Sequence, residues 1–212
     1  MYTHPKIDRN KILPRQALDI LIEGNHRFVN NRSALREYSN IVDMTKLEPH
    51  PFASFLSCSD SRAPVELLFD QALGDIFSVR LAGNIASDKA VGSLEFSSKY
   101  LGSKLIVVMG HSSCGAVKAA CDDFREGHIG EIINLIKPSI RHEKTITHER
   151  NSKNEAFVEK ICALNVKYQI DQIVRMSDIV EDMLSSHSIG IVGGVYDLKT
   201  GKVHFLEDTL TF

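Results

Sequence analysis

The sequence predicts an α/β fold with a mostly parallel central sheet, flanked by helices and preceded by an N-terminal helical arm. Four short segments rich in Val, Ile and Phe lack the polar alternation of a half-exposed sheet, which is typical of buried strands. Amphipathic helical patterns lie between these segments. Strands that alternate with helices favour a parallel sheet covered on both faces.

The predicted strands are residues 52–58, 76–80, 105–111 and 189–196. A hairpin-like stretch within 195–206 predicts a further strand at the sheet edge. The arm contains one predicted helix, at residues 17–30, followed by a polar, irregular stretch at 31–51. Such an arm packs either on a neighbouring subunit or on its own domain. The helices predicted after it are 64–71, 87–101, 115–125, 129–136, 155–173 and 178–185, with an exposed connection at 141–154.

Length and composition indicate one soluble domain. The 212 residues suffice for a single well-packed core, so we expect residues 1–212 to form one domain, with 1–50 as helical arm and linker and 51–212 as the α/β core. A content of 43% hydrophobic and 25% charged residues argues against disorder. A net charge of −2 without a basic stripe argues against nucleic acid and anionic membranes as partners.

The expected cellular location follows from the absence of a signal-like or membrane-spanning apolar segment in this sequence. The N-terminal residues 1–16 are polar and contain no hydrophobic stretch of the kind a secretory signal needs. The longest apolar runs, such as 105–109, are strand-sized and too short to span a bilayer. We therefore expect a cytoplasmic protein whose four cysteines are ligands or core residues rather than disulfides.

Reactive side chains follow two of the predicted strands. Cys58 directly follows the core of the first strand. His111 ends the third, and Cys114 follows it after an intervening pair of serines. Ligands of open α/β sheets gather at the carboxyl ends of strands. Thiolate sulfur and imidazole nitrogen are zinc ligands, and a catalytic zinc site leaves the fourth position open. These three residues therefore predict a catalytic zinc site.

Asp60 and Arg62 follow Cys58 closely enough to act at the same site. A carboxylate there would accept a hydrogen bond from the metal-bound water, and the guanidinium would keep the carboxylate ionised and oriented. Taken singly, a strand-end cysteine is usually a small core residue, and an Asp–Arg pair is usually a surface ion pair. The coincidence of all five residues at two strand ends favours the catalytic interpretation.

The motifs resemble those of the β-class carbonic anhydrases, in particular the bacterial and plant-like branch. The two most specific phrases are CSDSR at 58–62 and, about fifty residues later, HSSCG at 111–115. The flanking phrases HPFASFLSCSDSR, FDQALGDIFSVRLAGNIA and LIVVMGHSSCGAVKAA are similar too. With the N-terminal LIEGNHRFV and the C-terminal GIVGGVYDLKTGKVHF, the resemblance covers nearly the whole chain.

The resemblance implies an activity and roles for particular residues. It implies reversible hydration of carbon dioxide to bicarbonate and a proton, by attack of a zinc-bound hydroxide. Cys58, His111 and Cys114 would hold one Zn²⁺ per subunit. Asp60 and Arg62 would form the catalytic dyad, and Asp60 could also move onto the metal as a fourth ligand in an inactive state. The residues implied to line the small substrate pocket are Phe77, Ala82 and Gly115. A homodimer or tetramer is implied as the assembly.

The sequence departs from the family pattern at three places. Pro49 replaces a glutamine whose side-chain amide would contact the substrate, and proline offers no donor at all. Losing one well-placed donor costs a rate factor of about 100. Phe96 replaces a tyrosine near the site. Phe55 and Gly193 stand where a second subtype has the tryptophan and tyrosine of a regulatory bicarbonate pocket, so we expect no such pocket beside Arg80.

Two other functions stay open at this stage. The same zinc site would suit a hydrolase of carbonyl sulfide or carbon disulfide. Pro49 at the usual glutamine position is compatible with this alternative function. A zinc-binding homologue with reduced or no activity is the other, although a purely structural site needs neither Asp60 nor Arg62. Cys121 and Cys162 are expected in the core. The histidines outside the site are expected in solvent: His4, His26, His128, His142, His148, His187 and His204.

Overall fold

Five strands form one sheet at the centre of the molecule, in the spatial order β2-β1-β3-β4-β5. The computed structural model describes residues 11–212. The first four strands pair in parallel, and β5 runs antiparallel to β4, so the predicted mostly parallel sheet is confirmed. The strands are β1 (Ala53–Ser57), β2 (Ile76–Arg80), β3 (Leu105–His111), β4 (Gly190–Tyr196) and β5 (Val203–Thr211).

The helices cover both faces of this sheet. Every residue of β1 and of β3 is buried, which is why their sequences read as continuous apolar runs. Alternate residues face opposite layers: Phe55 and Val107 pack in one apolar cluster, Leu56 and Ile106 in another. The helices are α1 (Pro14–Val29), α2 (Tyr38–Thr45), α3 (Val65–Leu68), α4 (Asp88–Lys99), α5 (Gly115–Cys121), α6 (Ile129–His142), α7 (Glu155–Met176) and α8 (Asp178–Ser185).

The N-terminal helix belongs to the core of its own chain. Ala17, Leu18 and Leu21 on α1 are buried in the same cluster as Phe55. The amide of Asn25 adds polar anchors, because its Nδ2 donates to the carbonyl of Leu68 and its Oδ1 accepts from the amide of Val203 at 2.9 Å. The helical part of the arm therefore packs on its own domain. Residues 1–10 of the predicted arm, including His4, lie outside the described residues.

Two segments differ from the sequence expectation. The stretch 31–51, expected to be irregular, contains α2, of which only Ile41 is buried. One buried residue in eight gives no apolar periodicity strong enough to reveal a helix. Helix α6 continues to His142 instead of ending near 136, and it includes Pro138. Ser139, directly after the proline, is buried in this last part of the helix.

The connection at 141–154 is mostly exposed, as expected, but Glu143 within it is buried. The Glu143 carboxylate accepts hydrogen bonds from the Thr145 hydroxyl and from the amides of Thr145 and Ile146, which lowers its pKa to about 2. The Arg150 guanidinium donates to the carbonyls of Ile146, Ile140 and Glu143. These two charged side chains are therefore satisfied by a hydroxyl and by backbone groups rather than by solvent alone. Over residues 11–212, no helix combines the length and the apolar character needed to cross a membrane.

Candidate metal centre

The carboxyl end of β1 places Cys58 at the edge of the buried sheet. The strand stays buried through Ser57, and Cys58 itself is 5% exposed. Its Sγ accepts a hydrogen bond from the backbone N–H of Gly83 at 3.4 Å. The Arg80 guanidinium, from the neighbouring strand β2, donates to the Cys58 carbonyl at 3.0 Å and to the Asp60 carbonyl at 2.6 Å. The loop that follows β1 is therefore fixed by the adjacent strand.

The turn between β3 and α5 presents His111 and Cys114 from the other side. His111 ends β3, Cys114 precedes the first residue of α5, and Ser113 between them has a φ of 53°. The imidazole Nδ1–H donates to the Ser112 carbonyl at 2.9 Å. The second ring nitrogen, Nε2, therefore carries the free electron pair that can bind a metal. Ser113 N–H donates to the Glu159 carboxylate on α7 at 3.0 Å, which holds the turn.

The three donor atoms converge at one point. The Sγ atoms of Cys58 and Cys114 are 4.0 Å apart, and these sulfurs and a ring nitrogen of His111 all lie within 4.8 Å of one another. The Nε2 atom of His111 is buried and has no hydrogen-bond partner among the described residues, a costly arrangement unless something else satisfies it. Two thiols and one imidazole nitrogen form a donor set that zinc prefers. The site therefore fits a zinc ion.

A hydrogen bond between the two thiols shifts their pKa values in opposite directions. The hydrogen bond from Cys114 lowers the pKa of the Cys58 thiol despite its burial. Sharing that hydrogen bond, together with burial, raises the pKa of Cys114. The pair therefore retains one proton near neutral pH, and a metal ion would have to displace it, since thiolates are the ligands.

Asp60 and Arg62 pair beside the donor atoms. The Arg62 guanidinium donates to both oxygens of Asp60, at 3.0 Å through Nε and 2.8 Å through Nη2, and its backbone N–H donates at 2.9 Å. These bonds hold the pKa of the Asp60 carboxyl well below its usual range, so the group is ionised near neutral pH. Asp60 Oδ2 lies 3.9 Å from His111 Nε2. In this arrangement the carboxylate contacts Arg62 and faces the donor atoms.

The three residues expected to line the substrate pocket occupy different places. Ala82 opens a single 3₁₀ turn, Ala82–Asn84, next to the Gly83 that contacts Cys58, and Gly115 directly follows Cys114. Phe77, by contrast, is level with Ser54 on β1, four residues before Cys58. A parallel strand rises about 3.3 Å per residue, so Phe77 lies on the order of 13 Å along the sheet from the donors of its own chain. Its role in the pocket stays a prediction.

The sequence reasoning did not identify the residues that surround the ligands. Arg80, Glu159 and Gly83 each contact the ligand loops, and none has a local pattern that points to a metal site. The Ser112 hydroxyl, which accepts from Leu198 N–H at 2.9 Å, is another such contact. The four cysteines are all free thiols; Cys162 is in the core as expected, and Cys121 is half-buried.

Comparison with known proteins gives a consistent result. The family model described as "Carbonic anhydrase" matches residues 53–203, which include all three donor residues. A carbonic anhydrase of Mycolicibacterium smegmatis is 34% identical over 197 residues, covering 90% of this chain and 92% of that protein. Carbonic anhydrase 2 of Mycobacterium tuberculosis is 32% identical over 197 residues, covering 89% of this chain and 91% of that one. A solved Coccomyxa β-carbonic anhydrase in complex with acetazolamide has a TM-score of 0.71 at 26% identity, covering 89% of this chain and 86% of that chain.

Proposed function

This chain belongs to the β-class carbonic anhydrase family, and we propose that it hydrates carbon dioxide at a zinc ion held by Cys58, His111 and Cys114. The reaction is CO₂ + H₂O ⇌ HCO₃⁻ + H⁺, the carbonate dehydratase reaction of the family. The observation that carries the proposal is the convergence of three buried metal donors beside an ionised Asp60. One ion per subunit follows from one such donor set among the described residues.

The chain's own residues divide the remaining tasks. When bound, zinc supplies a water of lowered pKa near neutral pH and a positive charge for the developing anion. Asp60 faces the donor atoms and accepts a hydrogen bond from the attacking water, so that a lone pair of the water oxygen points at the carbon of carbon dioxide. Arg62 donates twice to that carboxylate and fixes its orientation. Because Asp60 is held ionised, it acts as an acceptor, and the released proton passes to buffer.

Asp60 has a second proposed state, in which it binds the metal directly as a fourth ligand. Reaching that state requires the two side-chain hydrogen bonds from Arg62 to break. With Asp60 paired to Arg62, a bound metal would keep its fourth position for water, and this is the state in which we expect turnover.

The substrate is small and uncharged, so it needs an apolar wall rather than charged partners. We assign Gly115 to this wall because it directly follows the ligand Cys114, and Ala82 because it precedes Gly83, whose N–H contacts Cys58 Sγ. Phe77 can reach a metal centre only across an interface, from a second copy of the chain. Phe96, which replaces the family's tyrosine, packs on Phe77 with ring centroids 6.4 Å apart and belongs to the same surface.

The test of the function is a comparison of two substrates. Zinc-loaded protein is expected to hydrate carbon dioxide in a stopped-flow pH-indicator assay between pH 7 and 9, and to hydrolyse carbonyl sulfide far more slowly. Hydrolysis of carbonyl sulfide or carbon disulfide as the faster reaction would assign the alternative hydrolase function to the same site. Full zinc occupancy without turnover of any of these substrates would show that the chain is a zinc-binding homologue without hydratase or hydrolase activity.

A second copy of this chain is the proposed partner, as a homodimer or tetramer. Tyr38 and Val42 lie one helical turn apart on the same side of α2, and both are more than half exposed. We expect Val42→Glu to shift the sedimentation coefficient toward that of a monomer, because a charge would replace apolar area at the contact. The matched control is Met176→Glu, which places the same charge on an exposed methionine at the end of α7. Equal sedimentation of both variants and the unaltered protein would assign the contact elsewhere.

The proposed location is the cytoplasm. All four cysteines are free thiols, two of them facing each other at 4.0 Å, and a reducing compartment keeps such a pair available for a metal.

A further inference from the structure

Two amide side chains on α7 are buried where the helix is otherwise apolar. Asn165 and Gln169 are one helical turn apart, and each is 0% exposed. Their buried neighbours on the same helix are hydrophobic: Phe157, Val158, Ile161, Cys162, Val166, Ile170 and Ile173. Burying an amide costs free energy unless its hydrogen bonds are made. Two buried amides on one apolar face must therefore have hydrogen-bond partners nearby.

The partners lie on the segment that follows β2. Asn165 Nδ2 donates to the Gly83 carbonyl at 2.9 Å, and Gln169 Oε1 accepts from Ala86 N–H at 2.8 Å. The two amides also bond each other, since Gln169 Nε2 donates to Asn165 Oδ1 at 2.9 Å. Ser139 on α6 completes the set by donating to Asn165 Oδ1 at 3.3 Å. The side chains thus satisfy two backbone groups of the segment after β2, and Gln169 Nε2 also donates to the Leu135 carbonyl on α6 at 3.0 Å.

The Gly83 backbone has a conformation that glycine adopts easily and other residues rarely do. Its φ of 74° is in the left-handed region, and the next residue, Asn84, has a φ of 44°. A Cβ at Gly83 would come within 2.6 Å of Ile136 Cδ1, so the segment is also pressed against α6. The N–H of this same residue donates to Cys58 Sγ. The carbonyl and the N–H of Gly83 belong to two peptide planes that meet at its Cα, so a shift of the anchored carbonyl would tilt the N–H that contacts Cys58 Sγ.

We propose that Asn165, braced by Gln169, is a positioning residue for the metal ligand Cys58. It acts through Gly83, whose carbonyl it binds and whose N–H binds the Cys58 sulfur. An N–H···S bond orients the sulfur and draws charge from it, so it sets both the aim and the donor strength of the thiolate. The inference rests on the zinc centre proposed above.

The effect that tests the inference is the one on metal binding. Loss of an outer-shell partner of a metal ligand costs about 10- to 100-fold in metal affinity. Asn165 acts one contact further out, through Gly83, so we expect Asn165→Leu to weaken Co²⁺ and Zn²⁺ binding by about 10-fold, the lower end of that range, measured by competition with a chromophoric chelator. In the Co²⁺-loaded protein, the sulfur-to-cobalt charge-transfer band should shift, because the donor strength of Cys58 changes.

Three further variants separate positioning from general stability. Ser139→Ala removes a member of the network but leaves the bond between Asn165 and Gly83, so its metal affinity and spectrum should equal those of the unaltered protein. Ile173→Val loosens the same helix without touching Gly83, and its thermal unfolding gives the effect of destabilisation alone. If Asn165→Leu fails to fold, Asn165→Ser serves in its place, since its hydroxyl is too short to reach the Gly83 carbonyl.

The outcomes are distinguishable. An unchanged affinity and charge-transfer band in the folded Asn165 variant would overturn the inference and leave the zinc centre intact. An equal loss of affinity in Ile173→Val would also overturn it, because the effect would then be one of stability. Failure of the unaltered protein to bind Co²⁺ would instead overturn the proposed metal centre, and the positioning role with it.

Discussion

Replacing Asp60 by alanine is expected to reduce carbon dioxide hydration by about 100- to 1,000-fold, the cost of removing one polar group that is organised for the transition state. The metal should stay bound, because the three donors that converge are Cys58, His111 and Cys114. Without the carboxylate, the attacking water keeps its activation but loses the acceptor that directs it. Stopped-flow kinetics give the rate, and metal analysis of the same samples gives the zinc content.

The isosteric variant Asp60→Asn is the matched control for shape. It keeps the size of the side chain but loses the charge that attracts Arg62, so it should also lose most turnover while retaining zinc. A zinc content that falls in parallel with the rate in both variants would contradict the proposed role. Asp60 would then be a metal ligand in the resting state, and its pairing with Arg62 would have to break on metal binding.

Replacing Cys114 by serine is expected to abolish both metal binding and activity. The thiolate is one of only three protein donors in the set, so its loss should cost more than the roughly 100-fold upper range for outer-shell changes. Metal binding to a folded site stabilises that fold, by about 2.7 kcal/mol when free zinc exceeds the dissociation constant 100-fold. Thermal unfolding with and without zinc should therefore show a clear shift in the unaltered protein and none in Cys114→Ser.

Cys121→Ser provides the control on the same helix. Cys121 ends α5 and lies outside the donor set, so this variant should keep both the zinc content and the zinc-dependent rise in melting temperature. A full complement of zinc in Cys114→Ser would mean that the donors are not those the geometry brings together. The two cysteine variants therefore test the ligand assignment independently of catalysis.

Most of the core was predictable because buried segments have a recognisable apolar pattern in the local sequence. Strands β1 and β3 are buried on both faces, and their sequences are apolar without alternation. The reactive residues lie at the carboxyl ends of these strands, where ligands of parallel sheets gather. This rule alone predicts that Cys58 and His111 are close together. Helix α2 has no such pattern, since only Ile41 on it is buried.

The sequence by itself predicted the donor residues, the Asp60–Arg62 pair and the parallel sheet. These depend on residue type, on short spacings within the two loops and on the alternation of strands with helices. Only the tertiary structure decided what holds the donors in place. Asn165 binds the carbonyl of Gly83 across 82 residues, and Gly83 binds Cys58 across 25. It also decided that Phe77 lies far from the donors of its own chain. Contacts of this kind come from packing distant segments together, and no periodicity in the sequence records them.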